Sequence, residues 1–317
     1  MIIAAAMIWI ILVFVDPKEI WERVSQANLA IILLAISISI LAHLSRAYRW
    51  KLLLQPLGYN PPLWHSFIAV MTAYFVNIFI PRGGEVARCA VLKKSDEIPF
   101  TSSIATVVAE RVVDFLCLLV LIGFAFVLEY DRFMKFFQET VFAKKETTEQ
   151  SFPWMYLLMA LMVVGAIIFF SLKKYFLRIS FINKIYEFIV SLFIQAYTTF
   201  RLLKKKREFI LHTILIWFGY YLMTYLVFLA LPFTEHLDGM AGLVILIVGG
   251  LGMSAPSSGG IGPFHFMVAG ALTLFYGLTS ENGVAYAFVI HTSQMISLFV
   301  FGGMAASLSL FLGKKKV

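Results

Sequence analysis

Three charged residues lie close together inside an apolar run of this chain. Glu110, Arg111 and Asp114 come six to ten residues after the run begins at Ile104. At ~1.5 Å per residue they would lie ~9–15 Å inside a hydrocarbon layer of about 30 Å. Facing lipid, three such groups would cost roughly 8–10 kcal/mol. They must face protein or water, either as an ion-pair network that pins the helix or as a site for a lipid headgroup or a proton.

A second charged group follows a break in another apolar stretch. Pro81 and Arg82 precede Gly83 and Gly84, and Glu85 and Arg88 follow at i, i+3 spacing. A guanidinium beside the positive end of a half-helix, with glycines that let a ligand approach the amides, suits a phosphate group. Simple turn geometry is the alternative interpretation.

A third candidate site lies at a second break, between Pro256 and Pro263. Gly259, Gly260 and Gly262 precede a half-helix that begins near Pro263, which again predicts amides available to an anion. His265 follows, with a packing role as its alternative. Paired breaks of this kind in membrane helices point to a transporter's binding site.

The amino-acid composition indicates whether this chain folds in water or in a membrane. Of 317 residues, 61% are hydrophobic and 14% charged, and the mean hydropathy is +0.87, whereas soluble domains have about 45–50% apolar and about 25% charged residues. The chain is therefore predicted to be an integral membrane protein. Its net charge of +8 and pI near 9.4 indicate an anionic lipid partner rather than nucleic acid. We assign no metal, cofactor or catalytic residue, because the histidines lack metal-ligand spacing and no nucleotide fingerprint occurs.

The apolar runs predict an all-α polytopic membrane bundle in a single domain over 1–317, with halves at about 1–130 and 153–317 joined by a polar loop. Helices close every backbone hydrogen bond in lipid. Two broken hairpins are predicted at Leu63–Leu92 and Met240–Leu278. The six full spans are predicted at Met1–Val15, Asn28–Leu44, Ile104–Leu128, Trp154–Leu172, Ile210–Leu231 and Gly283–Leu312. The short first run suggests that the true start lies upstream.

Basic residues predict the orientation. The interval 173–208 holds nine Lys and Arg residues and two acids, so the positive-inside rule places it in the cytoplasm. Arg46, Arg49 and Lys51, read as loop residues, place the loop after the second span inside, and Lys314–Lys316 place the carboxyl end there. Both termini are thus predicted to be cytoplasmic. Only a hairpin at Leu63–Leu92, which enters and leaves on the same side, makes the number of membrane crossings agree with these positions of the basic loops. The second break could be a hairpin or two short spans.

Two further expectations follow from this arrangement. Each half contains two spans, a broken hairpin and one span, with opposite starting sides, which is the order of inverted-topology repeats. Between the halves, Phe176–Leu203 has apolar residues at helical spacing between flanking cations. It predicts an interfacial helix attracted to anionic lipid, or alternatively a helix packed on the bundle.

Three ordered motifs resemble a known family. They are Pro81-Arg82-Gly83-Gly84-Glu85-Val86-Ala87-Arg88, Glu110-Arg111-Val112-Val113-Asp114, and Pro256 with Gly259-Gly260-Ile261-Gly262. Together they are similar to the lysylphosphatidylglycerol synthase transmembrane region family, also called flippase-like domain proteins, over nearly the whole chain. The resemblance implies a flippase for a phosphate-bearing phospholipid or glycolipid in the inner membrane, with envelope-lipid synthesis enzymes as partners. Alternatives are an intramembrane transferase acting on polyprenyl-phosphate lipids and a non-catalytic partner of an envelope-lipid enzyme.

The sequence also departs from better-known members of that family. Multiple peptide resistance factors, whose membrane portions move aminoacylated phosphatidylglycerol, carry a cytosolic aminoacyl transferase domain, whereas this chain ends at Val317 after its last span. We therefore expect a stand-alone protein that does not make the lysyl lipid. Many relatives have a charged residue after the last glycine motif, where this chain has Pro263-Phe264-His265, so the headgroup stays open.

Overall fold

The computed structural model describes residues 17–130, 186–187, 190–191, 194, 197–255 and 257–312. Within these ranges the chain is helical and contains no strand. The bounded helices are α1 (Pro17–Ser25), α2 (Leu29–Leu54), α3 (Leu63–Phe79), α4 (Gly83–Asp96), α5 (Phe100–Leu128), α6 (Lys206–Leu229), α7 (Gly239–Ser254), α8 (Pro263–Tyr276) and α9 (Ser280–Phe311).

The lengths and composition of these helices confirm an all-α, multi-pass membrane bundle. Two predicted spans, Met1–Val15 and Trp154–Leu172, lie outside the described residues. The shorter apolar helices are Leu63–Phe79 and Gly239–Ser254. Five helical stretches within the described ranges are long and apolar enough to cross a membrane: Leu29–Leu57, Phe100–Leu128, Lys206–Leu229, Ser258–Tyr276 and Ser280–Phe311.

Both predicted breaks interrupt the helices. α3 ends at Phe79, Ile80 is extended, and Arg82 has a φ of 60° before α4 begins at Gly83. α7 ends at Ser254, and α8 begins at Pro263 after three glycines with φ values of 60° to 91°. In each pair the two helices pack against each other. Whether a pair re-enters or crosses stays a prediction.

The two halves share one order of elements. α2, the α3–α4 pair and α5 are a long helix, a broken pair and a long helix, and α6, the α7–α8 pair and α9 repeat that order. The halves are joined tightly where α2 packs on α6, since a Cβ on Gly219 of α6 would lie 3.0 Å from the Ala42 Cβ. An inverted symmetry between them remains a prediction.

Helix α2 corrects the interpretation of two loop cations. The apolar run predicted a span that ends at Leu44, but the helix continues to Leu54, and Arg46 and Arg49 are buried inside the bundle. They face carboxylates on α5, which stabilise them where lipid would not. Neither residue can therefore count as a loop charge for the orientation. Lys51 also belongs to the helix, but it lies in the last turn and is partly exposed, so of the three it alone still indicates the orientation.

Most of the predicted interfacial segment Phe176–Leu203 lies outside the described residues. Its end contacts the bundle: Leu203 is 5% exposed and packs with Leu52, Leu53 and Phe209. The Phe200 ring meets the Phe209 ring edge to face at a centroid distance of 5.7 Å. Phe200 and Leu203 thus pack on the bundle, while the choice between an interfacial helix and a helix packed on the bundle stays a prediction.

Hydrogen bonds between helix ends define which ends share a side. The Lys94 ammonium donates to the carbonyls of Ser309 and Leu310, 3.2 and 2.6 Å away. The end of α4 therefore lies beside the end of α9. Toward the other end of α9, the Arg23 Nε of α1 donates to the Asn282 Oδ1 at 2.6 Å.

This arrangement gives a labelling prediction. Because the ends of α4 and α9 share a side, a cysteine replacing Lys94 should react with an impermeant thiol reagent only from the cytoplasm, whereas a cysteine at the exposed Glu235 should react in intact cells. The parent chain, with Cys89 and Cys117, is the control. Labelling of the Lys94 variant in intact cells would contradict the predicted orientation.

Candidate functional site

A buried carboxylate forms the centre of a charged cluster between α2, α4 and α5. The Glu110 side chain of α5 is 0% exposed. It accepts hydrogen bonds from three guanidinium groups: Arg88 Nη1 at 2.7 Å, Arg46 Nη1 at 2.8 Å and Arg49 Nη2 at 3.1 Å. Charge-assisted bonds of this length are among the strongest in proteins.

Asp114 extends the cluster by one turn of α5. Its two oxygens accept from Arg49 Nη2 at 2.7 Å and from Arg46 Nη1 at 2.9 Å. Glu110 and Asp114 at i, i+4 spacing thus share both arginines of α2, which are themselves one turn apart at i, i+3. This match between two helices explains why four charges can stay buried at this position.

The outer part of the cluster is less tightly held. Arg111 lies 3.4 Å from Glu85 and 3.8 Å from Asp114, and its side chain is 48% exposed. Glu85 Oε2 and Arg88 Nη2 are buried and have no hydrogen-bond partner among the residues that the structure describes. The outer part therefore keeps a free donor and a free acceptor, the groups that a polar ligand would satisfy.

Glu85 and Arg88, which carry these two groups, line a narrow cleft. Its water-accessible volume is ≈ 10 Å³, about the room that one water molecule needs, so a headgroup can enter only if the helices separate. The cleft is lined by Arg46, Val70, Ala73, Tyr74, Asn77, Glu85, Arg88 and Arg111.

Packing fixes the position of Arg88. Its guanidinium carbon lies 4.7 Å from the centroid of the Trp50 ring, and the Trp50 Nε1 donates to the Thr106 hydroxyl at 2.9 Å. Trp50 is fully buried. A guanidinium packed over an aromatic face is restricted in its orientation. Nη1 of Arg88 donates to Glu110, while Nη2 has no hydrogen-bond partner among the described residues.

Arg46 and Arg49 are the site residues that sequence reasoning missed as such. They were interpreted as loop cations because they follow the apolar run of α2 and stand near Lys51. Their i, i+3 spacing was the available signal, because it matches the i, i+4 spacing of Glu110 and Asp114 on α5. Two carboxylates at membrane depth also need more cations than Arg111 alone.

The amides of the first break differ from the prediction. Gly84 N donates to the Asn77 Oδ1 at 2.8 Å, and Gly83 N donates to the Ile80 carbonyl at 3.0 Å. Both amides are therefore already satisfied and do not form an open anion cradle. The glycine at position 84 instead permits close packing, since a Cβ there would lie 2.2 Å from the Ala73 carbonyl oxygen.

The second break holds its glycines in conformations that other residues rarely adopt. Gly259, Gly260 and Gly262 have φ values of 60°, 81° and 91°. The Gly259 carbonyl accepts from the His291 Nε2 at 2.8 Å, and the rings of His265 and His291 lie 4.6 Å apart. His265 is thus placed beside His291, and its Nδ1 is buried without a hydrogen-bond partner in the described ranges.

The two breaks contact each other. Arg82 Nη2 donates to the Ser254 carbonyl at 3.0 Å, although 172 residues separate them in sequence. A Cβ on Gly259 would lie 3.8 Å from the Ile78 Cα, and Asn77, one residue earlier, lines the cleft. The charged cluster and the second break therefore both adjoin the end of α3.

Uncharged polar groups extend the cluster toward α9. Arg46 Nε donates to the Tyr220 hydroxyl at 3.3 Å, which lies 3.5 Å from the Tyr74 hydroxyl. The His43 ring packs on Tyr74 at 4.5 Å, and its Nε2 lies 3.3 Å from the Ser39 hydroxyl, which donates to the Gln294 Oε1 at 2.7 Å. Sequence reasoning gave no role to these groups, because their contacts join helices of both halves.

Comparisons with known proteins place the chain among membrane proteins. Residues 1–302 match the family described as the lysylphosphatidylglycerol synthase TM region. No solved structure matches the chain.

Two curated relatives align over part of their length. A UPF0104 membrane protein of Methanocaldococcus jannaschii is 32% identical over 117 residues, which are 36% of this chain and 35% of that protein. Glycosyltransferase AglD of Haloferax volcanii is 29% identical over 111 residues, 35% of this chain and 18% of that protein. The chain therefore spans only about a third and a fifth of these relatives. Together with the family match, they indicate a function connected with membrane lipids.

Proposed function

We propose that this chain, which belongs to the lysylphosphatidylglycerol synthase TM region family, moves a phosphate-bearing lipid between the leaflets of the cytoplasmic membrane. The observation that carries the proposal is the charged cluster beside two contacting helix breaks, in which Arg88 keeps a buried, unpartnered Nη2. Ionisable groups at membrane depth mark substrate pathways, and contacting broken helices mark transporter sites.

In the proposed mechanism the residues divide into a fixed part and a binding part. Arg46 and Arg49 hold Glu110 and Asp114 in place. Arg88 and Arg111 take the phosphate in the cleft, and Glu85 can pair with a cationic headgroup.

The two breaks are proposed to open alternately. Arg82, which is exposed and donates to the Ser254 carbonyl, joins the two breaks, and this hydrogen bond is lost when they separate. The glycines at 259, 260 and 262 leave the second break free of side chains that would obstruct the headgroup. Anionic lipid is the partner in this proposal, both termini lie in the cytoplasm, and envelope-lipid enzymes are the candidate protein partners.

An intramembrane transferase is the second candidate function. It is favoured by the similarity to a protein named glycosyltransferase AglD. A transferase needs a carboxylate that can accept a proton. Glu110 and Asp114 are each held by at least two guanidinium groups, and such partners favour the charged form and make a poor base. The site geometry therefore supports binding over proton transfer.

Reconstitution separates these functions. Purified protein is reconstituted in vesicles that contain fluorescent phospholipids. A membrane-impermeant quencher removes the fluorescence of the outer leaflet, so the fraction of fluorescence lost measures exchange between the leaflets. Leaflet exchange with chemically unchanged lipid supports the flippase. Conversion of a labelled glycosyl or phosphoryl donor, without leaflet exchange, would support the transferase instead. Absence of both activities would favour the non-catalytic partner.

Replacing Arg111 tests the binding part of the site. Arg111→Gln should reduce the exchange rate about tenfold or more, because it removes the guanidinium that is least committed to protein carboxylates while leaving Glu110 its three partners. The matched control is Arg207→Gln, which removes an exposed arginine at the start of α6. Equal exchange rates for the two variants would contradict a role of Arg111 in binding.

A further inference from the structure

The charged cluster contains one more cation than anion. Among the described residues, the guanidinium groups of Arg46, Arg49, Arg88 and Arg111 contact the carboxylates of Glu85, Glu110 and Asp114. Four positive charges thus face three negative ones. The neighbouring hydroxyls of Tyr74 and Tyr220 belong to phenols, which add no charge near neutral pH.

The surplus positive charge is available at Arg88 and Arg111, the cluster arginines that are least engaged with carboxylates. Arg46 and Arg49 each make two ion pairs of 3.1 Å or less with the inner carboxylates. Arg88 makes one, and its Nη2 is buried without a partner. Arg111 has only the two longer contacts, to Glu85 and Asp114, and both Arg88 and Arg111 line the cleft.

From this balance we infer that the cleft selects a phosphodiester lipid, with a single negative charge on its phosphate, over a phosphomonoester lipid with two. The inference rests on the proposed function and names its substrate class. One bound anion neutralises the cluster, whereas a dianion leaves an unpaired negative charge where desolvation makes such a charge costly. Arg82 stands outside this balance because it is exposed and bound to Ser254.

Direct binding tests the inference without transport. The full chain in detergent is titrated with short-chain phosphatidylmethanol, a diester with the smallest headgroup, and with short-chain phosphatidic acid, a monoester. At pH 8 the monoester is a dianion, since its second ionisation lies near pH 6. We expect phosphatidylmethanol to bind at least about tenfold more tightly. At pH 5.5 the monoester is largely a monoanion, so the difference in affinity between the two lipids should become smaller. Phosphatidylmethanol, whose charge is the same at both pH values, is the internal control.

Two variants change the charge balance at partly exposed positions. Glu85→Gln, at a side chain that is 26% exposed, raises the surplus to two charges and should shift the preference at pH 8 toward phosphatidic acid. Arg111→Gln removes the surplus and should weaken the binding of both lipids. The controls are Glu235→Gln and Arg207→Gln, which change charge at exposed positions away from the cleft.

The outcomes separate this inference from the flippase proposal. Equal or tighter binding of phosphatidic acid by the unmodified chain at pH 8, or an unchanged preference in Glu85→Gln, would overturn the inference. The predicted preference without leaflet exchange would leave the inference standing and reject the flippase. Leaflet exchange of both lipids without a binding preference would support the flippase and reject the inference about the phosphodiester.

Discussion

Glu110→Gln is expected to lower the free energy of unfolding by about 3–5 kcal/mol, because it removes the charge that three buried guanidinium groups share. The amide has nearly the shape of the carboxylate, so packing is conserved and the loss is electrostatic. Asp114 cannot replace the missing partner for Arg88, since its ion pairs within the described part of the chain are with Arg46, Arg49 and Arg111. Chemical denaturation in mixed micelles measures the change.

The control for this substitution is Glu235→Gln at an exposed position in the segment after α6, which should be neutral within about 0.5 kcal/mol. A second comparison uses the double variant Arg88→Met with Glu110→Gln. It should be less destabilised than the sum of its single variants, because removing both partners leaves fewer unpaired charges. A Glu110→Gln protein as stable as the control would show that the cluster does not hold the helices together.

Gly84→Ala is expected to separate α4 from α3. The added Cβ would lie 2.2 Å from the Ala73 carbonyl oxygen and 2.7 Å from the Asn77 Nδ2, and the first of these is a backbone atom that cannot rotate away. Overpacking typically costs about 1–3 kcal/mol, and we expect the upper end of that range here. The shift would also weaken the hydrogen bond from Gly84 N to Asn77.

Gly270→Ala on α8 is the matched control. A Cβ at Gly270 meets nothing within 4 Å, so alanine should be neutral or stabilising by about 0.5–1 kcal/mol. Both variants are compared by denaturation in micelles and by leaflet exchange in vesicles. If Gly84→Ala unfolds and transports like Gly270→Ala, the close contact between α3 and α4 is not required by the fold.

Much of the architecture was predictable from the sequence because the bilayer imposes one dominant requirement. Every backbone group in lipid must be paired, so long apolar runs become helices. Pro81 with Gly83 and Gly84, and Pro256 with the glycines that follow, interrupt those runs by steric and conformational effects that act within a few residues. The breaks therefore appeared at the predicted positions without knowledge of the neighbouring helices.

The charged cluster was only half predictable for the same physical reason. Burial of Glu110, Arg111 and Asp114 followed from the cost of charge in lipid. Their partners did not, because a charge near the end of an apolar run reads equally well as a loop cation or as a buried one. Only the packing of α2 against α5 decided that Arg46 and Arg49 are buried.

The sequence by itself thus determined the membrane class, the helices, the two breaks and the presence of buried charge, because each depends on local composition and on the solvent around it. The tertiary structure decided which charges pair, that Arg82 reaches the Ser254 carbonyl, and that Asn77 satisfies an amide predicted to be free. These features depend on contacts between residues far apart in the chain. Such contacts arise from the shape complementarity of whole helices, which no single segment encodes.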